Sequence, residues 1–214
     1  MTDKAREKEE LRLEEMRKEE RAVLDLSPIA GVDEAGRGPL AGPVVAACAV
    51  IPLDYPFYYL NDSKKMSEKR REALFEDLQK EAIAFGIGIV SPERIDEINI
   101  LQATYEAMRE ALKDMEKHFS LSPKILLNDA VTIPGILIPQ KAIVHGDAKS
   151  LSIAAASVLA KVTRDHIMLE FDEQYPEYGF KQHKGYGTKV HREAILTHGP
   201  CPIHRRSFLK NLYS

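Results

Sequence analysis

Apolar residues fall along this chain in two rhythms: short unbroken runs bounded by glycine, proline or acids, and longer stretches with an apolar residue every three or four positions. The first rhythm predicts buried strands and the second amphipathic helices. Strands are expected over residues 29–33, 43–51, 83–90 and 124–129, and residues 141–147 repeat the design of an apolar strand followed by a glycine and Asp147. Gly86 and Gly88 inside the third strand predict close packing against a neighbouring element. Ser67, with Glu68 suited to the helix dipole, opens a helix to about residue 81. Ser91-Pro92-Glu93 opens another, whose stripe of Ile95, Ile98, Leu101, Tyr105, Met108 and Leu112 predicts one continuous helix to about residue 118. Ser150 caps a long helix to about residue 174, dense in alanine, and Thr188 caps a last one that Gly199-Pro200 stops. Residues 55–67 and 175–187 read as loops. The pattern implies one α/β domain over 29–214, with antiparallel early strands and later strands joined through helices.

Residues 1–28 follow a different rule. Asp3, Glu7, Glu9, Glu10, Glu14, Glu15, Glu19 and Glu20 alternate with six bases, without glycine or proline, over the first twenty positions. Pairs such as Arg6 with Glu10 lie four apart, and the apolar stripe of Leu11, Leu13 and Met16 is thin, so a solvated helical extension is expected.

Composition narrows the class. Hydrophobic residues are 44% and charged residues 29%, ordinary for a soluble globular protein. No apolar run approaches the roughly 20 residues needed to span a bilayer, and the charged N-terminus is no secretory signal, so a cytoplasmic location is expected. Cys48 and Cys201 fit no zinc spacing and read as free buried thiols. The net charge of −3 exerts no global pull on nucleic acid, but Lys181, Lys184, Lys189, Arg192, Arg205, Arg206 and Lys210 stand against Glu193 alone in the last part of the chain.

The candidate chemistry lies at strand ends. Asp33-Glu34, Asp129 and Asp147 each follow an apolar run, and strand ends are where an α/β sheet gathers its sites. Such acids repel unless cations neutralise them, and an oxygen-only ligand set suits Mg²⁺ or Mn²⁺. Two such ions about 4 Å apart are a standard device for attack at a phosphodiester. A lone strand-end Asp is more often a turn former or a helix acid, so the conjunction carries the argument. Asp33 and Glu34 point to opposite faces of a regular strand and can share a site only if the strand ends or twists there.

Gly36-Arg37-Gly38 cannot be a dinucleotide fingerprint, because Pro39 and Pro43 fall inside the helix that the fingerprint must open. It reads better as a tight turn whose bare backbone can approach a ribose hydroxyl, with Arg37 alternatively pairing with the neighbouring acids. On the long helix, Ser150, Ala154, Ser157, Lys161 and Arg164 or Asp165 form a small-and-polar stripe. That stripe could carry a nucleic-acid backbone, with Lys161 and Arg164 on phosphates, or could pack against the sheet. Tyr178 and Phe180 are expected in the core, and Tyr186, between two glycines, exposed for stacking.

Taken together, Ala30-Gly31-Val32-Asp33-Glu34-Ala35-Gly36-Arg37-Gly38-Pro39, Asn61-Asp62-Ser63-Lys64-Lys65-Met66, Gly146-Asp147-Ala148-Lys149-Ser150, the run from Ile153 to Asp165, His183-Lys184-Gly185-Tyr186-Gly187-Thr188 and His204-Arg205-Arg206-Ser207-Phe208 resemble bacterial ribonuclease HII. The resemblance implies an RNase H-like fold, a five-stranded mixed sheet flanked by helices, and a two-ion Mg²⁺ or Mn²⁺ site held by Asp33, Glu34, Asp129 and Asp147. It implies that Gly36, Arg37, Gly38 and Tyr186 sense the 2′-hydroxyl at an RNA–DNA junction, and that Lys64, Lys161 and Arg164 contact phosphates. The expected substrates are RNA–DNA hybrids and duplex DNA with an embedded ribonucleotide, cut to 3′-hydroxyl and 5′-phosphate ends by a monomer, with a replication clamp open as a partner. The chain departs from the family pattern at Ala130, where glycine usually follows the aspartate, and at Met66, where leucine is usual. The competing expectations are another nuclease on the same fold and a hybrid-binding module whose acids are structural.

Overall fold

The computed structural model describes residues 2–212. The chain opens with α1 (Asp3–Met16) and α2 (Lys18–Arg21), followed by β1 (Ile29–Ala35), β2 (Val44–Val50), α3 (Glu68–Glu81) and β3 (Ala84–Val90). Then come α4 (Pro92–Ile98), α5 (Ile100–Phe119), β4 (Ile125–Asp129), β5 (Gln140–Ile143), α6 (Leu151–Gln174), α7 (Phe180–His183) and α8 (Lys189–His198). The five strands form one mixed sheet in the order β3-β2-β1-β4-β5. β1, β2 and β3 run antiparallel, while β4 and β5 run parallel to β1. This is the expected five-stranded mixed sheet with flanking helices.

Strand alternation divides the core. Val32, Ala46 and Cys48 pack towards α5 with Ala107, Met108 and Ala111, and Ala47 and Ala49 pack towards α6 with Ala154 and Val158. The expected close approach at β3 is explicit: a Cβ on Gly86 would collide with the Ala111 carbonyl, and one on Gly88 with the Ala107 carbonyl. Gly31 of β1 likewise lies directly under the Ser152 backbone at the start of α6. Ser150 caps α6, Ser91 caps α4 and Thr188 caps α8 through their side-chain oxygens. Cys48 and Cys201 are free and buried, as expected. Among the described residues, no helix is long and apolar enough to cross a membrane.

Three expectations are corrected. The single helix expected over 92–118 breaks at Asn99, which takes a φ of 68° and accepts from the Leu101 and Gln102 amides, so it ends α4 and caps α5. Periodicity carries through such a break because the apolar face continues on both sides. Asp147 does not end a strand; it sits in a 3₁₀ turn, Gly146–Ala148, beyond β5. The N-terminal segment is not simply solvated. Leu13 and Met16 join the core, Arg12 donates to the Leu60 carbonyl at 2.8 Å, and Lys141 pairs with Glu19 at 2.8 Å. Glu20 is buried, where its Oε1 accepts from the Ser152 amide at 2.9 Å and from the Ser150 and Ser152 hydroxyls. A carboxylate there meets the positive end of α6.

Candidate active site

The site begins with register. β1 and β4 run parallel with Val32 opposite Asn128, so the next residue of each strand, Asp33 and Asp129, emerges on the α6 side of the sheet. Asp129 Oδ1 accepts from the Gly146 amide at 2.8 Å, which ties the turn carrying Asp147 to the end of β4. Asp33, Asp129 and Asp147 thereby bring ligand atoms within 4.8 Å of one another. Ser157 of α6 hydrogen-bonds Asp33 and lies 2.9 Å from the Ser63 hydroxyl.

Electrostatics shows what the cluster lacks. Burial, followed by the charge of Glu34, pushes the Asp33 carboxyl well above the ordinary carboxylate range. Burial also raises Asp147, with the charges of Asp62 and Asp129 adding to it. Partial burial of Lys64 would lower its pKa, yet the charges of Asp33, Asp147, Asp62 and Asp129 together hold it above the ordinary value. Lys64 is thus placed beside the acids, and Asp62, to which sequence reasoning assigned no role, adds negative charge to the same corner. Three close oxygen donors, two of them, Asp33 and Asp147, pushed towards protonation by burial and by neighbouring carboxylates, fit a hard divalent cation.

Glu34 is not brought into the trio. β1 stays regular through Ala35, with Glu34 opposite Ala46, so its side chain leaves from the other face. Burial raises its pKa and the Arg37 charge opposes that rise; the two groups lie 3.4 Å apart. The Asp129 charge also raises it, so Glu34 borders the cluster from the strand end.

Beside the acids lies the 36–43 turn. Gly36 has a φ of 96°, and a Cβ there would collide with the Arg164 side chain. A Cβ on Gly38 would stand 4.0 Å from the Tyr186 ring, so bare backbone faces that ring. Tyr186 is exposed, whereas Tyr178 and Phe180 are buried and stacked with ring centroids 5.4 Å apart, all as expected.

Of the two readings of the α6 stripe, the structure favours packing. Ser150, Ala154 and Ser157 are buried against the rest of the fold and cannot receive a nucleic-acid backbone. Arg164, expected on a phosphate, is 1% exposed and donates to the Pro43, Ala41 and Lys184 carbonyls at 3.0 Å each. Its guanidinium is committed to the fold. Lys161 pairs with Asp165 at 2.6 Å, and burial lowers its pKa. The basic C-terminal run divides: Lys181, Lys189, Arg192 and Arg206 are exposed, while Arg205 is buried. Arg205 and its neighbour His204 are the residues that sequence reasoning left without a role; their presence in the His204-Arg205-Arg206-Ser207-Phe208 motif was the available signal.

The family model described as Ribonuclease HII matches residues 30–211. The ribonuclease HII of Clostridioides difficile (strain 630) is 61% identical over 184 residues, covering 86% of this chain and 71% of that protein. The crystal structure of ribonuclease H2 from Pyrococcus horikoshii superposes with a TM-score of 0.69 at 29% identity, covering 86% of this chain and 96% of that one. The ribonuclease HII solved in complex with PCNA from Archaeoglobus fulgidus gives a TM-score of 0.67 at 27% identity, covering 87% and 97%.

Proposed function

The chain belongs to the ribonuclease HII family and is a type II ribonuclease H, a metal-dependent hydrolase of RNA–DNA hybrids; from that premise we propose that it also nicks duplex DNA 5′ of a single embedded ribonucleotide. The carrying observation is the placement of the carboxylate trio beside the glycine turn and the exposed Tyr186. Asp33, Asp129 and Asp147 would hold one Mg²⁺ or Mn²⁺, and Glu34, bordering them, would help to hold a second. Bound ions of this kind make a water nucleophilic near neutral pH and stabilise the leaving oxygen.

The chain's own residues do the rest. Ser157 holds the Asp33 carboxylate from the α6 side, and the Gly146 amide fixes Asp129. Lys64 places a positive charge at the acids, where a scissile phosphate would approach, and Lys161 stands farther along α6. The backbone at Gly36 and Gly38 meets the ribose 2′-hydroxyl, Arg37 stands at the rim by Glu34, and the Tyr186 ring stacks on the deoxyribose that follows. Products would be 3′-hydroxyl and 5′-phosphate ends. The relative bound to PCNA supports a replication clamp as the protein partner to test first.

A labelled duplex with one ribonucleotide, cut beside a long hybrid, tests this reading. Tyr186→Ala is expected to lower kcat/KM on the single-ribonucleotide duplex at least about tenfold more than on the hybrid, since stacking contributes about 1–3 kcal/mol. Equal losses on both substrates would refute the junction reading.

A further inference from the structure

His204 and Arg205 take no part in the chemistry above, yet they are 1% and 0% exposed, extreme for polar side chains. Among the described residues, no carboxylate is in hydrogen-bond contact with Arg205. Its Nε donates to the Gly42 carbonyl at 2.9 Å, one terminal nitrogen to Arg37 at 3.0 Å and Pro39 at 2.9 Å, and the other to Gly36 at 2.6 Å and Pro43 at 3.1 Å. A guanidinium has five N–H groups, so this one is fully spent on five carbonyls of the same turn. A buried charge adds little to stability that a well-packed apolar side chain could not supply. What an apolar side chain cannot do is gather five carbonyls into one fixed arrangement.

His204 reaches the other half of the proposed reader. The Cys201 amide donates to His204 Nδ1 at 3.0 Å, so the proton of that ring resides on Nε2. Nε2 lies 3.0 Å from His191 Nε2, and His191 Nδ1 lies 2.9 Å from the Tyr186 carbonyl, which can only accept. One tautomer assignment satisfies the whole chain: His204 Nε2–H donates to His191, whose Nδ1–H donates to Tyr186. Both rings are neutral, burial pushing each down to about 4. The backbone joins the halves as well, since the Arg205 amide donates to the Leu40 carbonyl at 2.9 Å and the Leu40 amide to Gly185 at 2.8 Å.

We propose that His204 and Arg205 are positioning residues for 2′-hydroxyl discrimination, Arg205 shaping the 36–43 turn and His204, through His191, setting Tyr186 against it. The proposal rests on the junction reading above. A misplacement of about 1 Å at such a site can cost on the order of 100-fold.

Arg205→Lys keeps the charge but offers three donors for five acceptors. It is expected to fold, to bind Mn²⁺ within about twofold of the unaltered protein, and to lose at least about tenfold in the ratio of junction to hybrid kcat/KM. His204→Phe, which keeps a ring but offers neither the acceptor for Cys201 nor the donor for His191, is expected to lower the same ratio. An unchanged ratio with Mn²⁺ binding intact would overturn the proposal. Tyr186→Ala run in parallel separates the two failures: if it lowers the ratio while Arg205→Lys does not, the positioning role alone is wrong; if it leaves the ratio unchanged, the reader itself is wrong and the proposal falls with it. Should neither variant fold, nitrogen-15 NMR of the unaltered protein decides. Slow exchange of the Arg205 guanidinium and His204 Nε2 protons is expected, and fast exchange would overturn the proposal.

Discussion

At one side of the site Asp33, Asp129 and Asp147 converge within 4.8 Å, where burial and neighbouring charge raise the pKa of Asp33 and Asp147; at the other, Arg205 is buried with each of its five N–H groups matched to a carbonyl. The first region is electrostatically incomplete without a cation, and the second is complete within the chain. The difference follows from what each must do. A centre that binds a charged ion has to hold unneutralised charge until the ion arrives, whereas a surface that discriminates one hydroxyl gains from being rigid beforehand.

The largest effect should come from removing charge at the incomplete side. Asp33→Asn is expected to cut hydrolysis by more than the roughly 100-fold typical of changes to groups that merely support a ligand. The same change should stabilise the metal-free protein by about 0.5–2 kcal/mol, because an amide ends the repulsion at a buried position. Activity assays and thermal melts in a chelator measure the pair. Full activity would remove Asp33 from the metal site, and a lower melting temperature in chelator would remove the repulsion argument.

The next effect is cation- and pH-dependent stability. Carboxyls of the unfolded chain ionise near pH 4. In the folded, metal-free protein burial and neighbouring charge hold Asp33, Glu34 and Asp147 above their ordinary values. The folded state then binds more protons than the unfolded chain across that window, so its stability falls as pH rises from about 4 through the raised values. At neutral pH the repulsion is at its fullest, and a bound cation relieves it. Mn²⁺ at about a hundredfold excess over its Kd should add about 3 kcal/mol at pH 8 and progressively less towards pH 5. Gains independent of pH would place the ion elsewhere.

The two regions also differ in how legible they are in the sequence. Strand-end acids and a glycine-proline turn are local signals, so Asp33, Asp129, Asp147 and the 36–38 turn could be singled out, as could Tyr186 between its glycines. Arg164 could not be placed: helical spacing set it on the same stripe as Lys161, and only the Ala41, Pro43 and Lys184 carbonyls, far away in sequence, turn it inward. Arg205 looked like one more charge in a basic run, since its acceptors lie more than 160 positions earlier. Glu34 shows the opposite case. Strand alternation poses the difficulty of two adjacent acids, and in the regular β1 Glu34 stays outside the trio yet borders it, close enough for its charge to act on Asp33.

The smallest effect tests whether the metal side stores backbone strain as well as charge. Ala130, directly after Asp129, has a φ of 56°, the left-handed region that costs a Cβ-bearing residue about 1 kcal/mol, while its amide donates to the Ile143 carbonyl at 3.0 Å. Glycine, usual at this position in the resembling family, removes that cost but returns some freedom to the unfolded chain. Ala130→Gly is therefore expected to change stability by no more than about 1 kcal/mol, in the stabilising direction, a rise of about 2–4 °C for a chain of this size. Ala130→Val, with its branched side chain, should move the midpoint the other way. Because the strain sits in the backbone and the charge in the side chains, Mn²⁺ affinity should stay the same in the glycine variant. A destabilised glycine variant would show that the alanine is held there without strain, and a changed Mn²⁺ affinity would show that the backbone at 130 helps to aim Asp129.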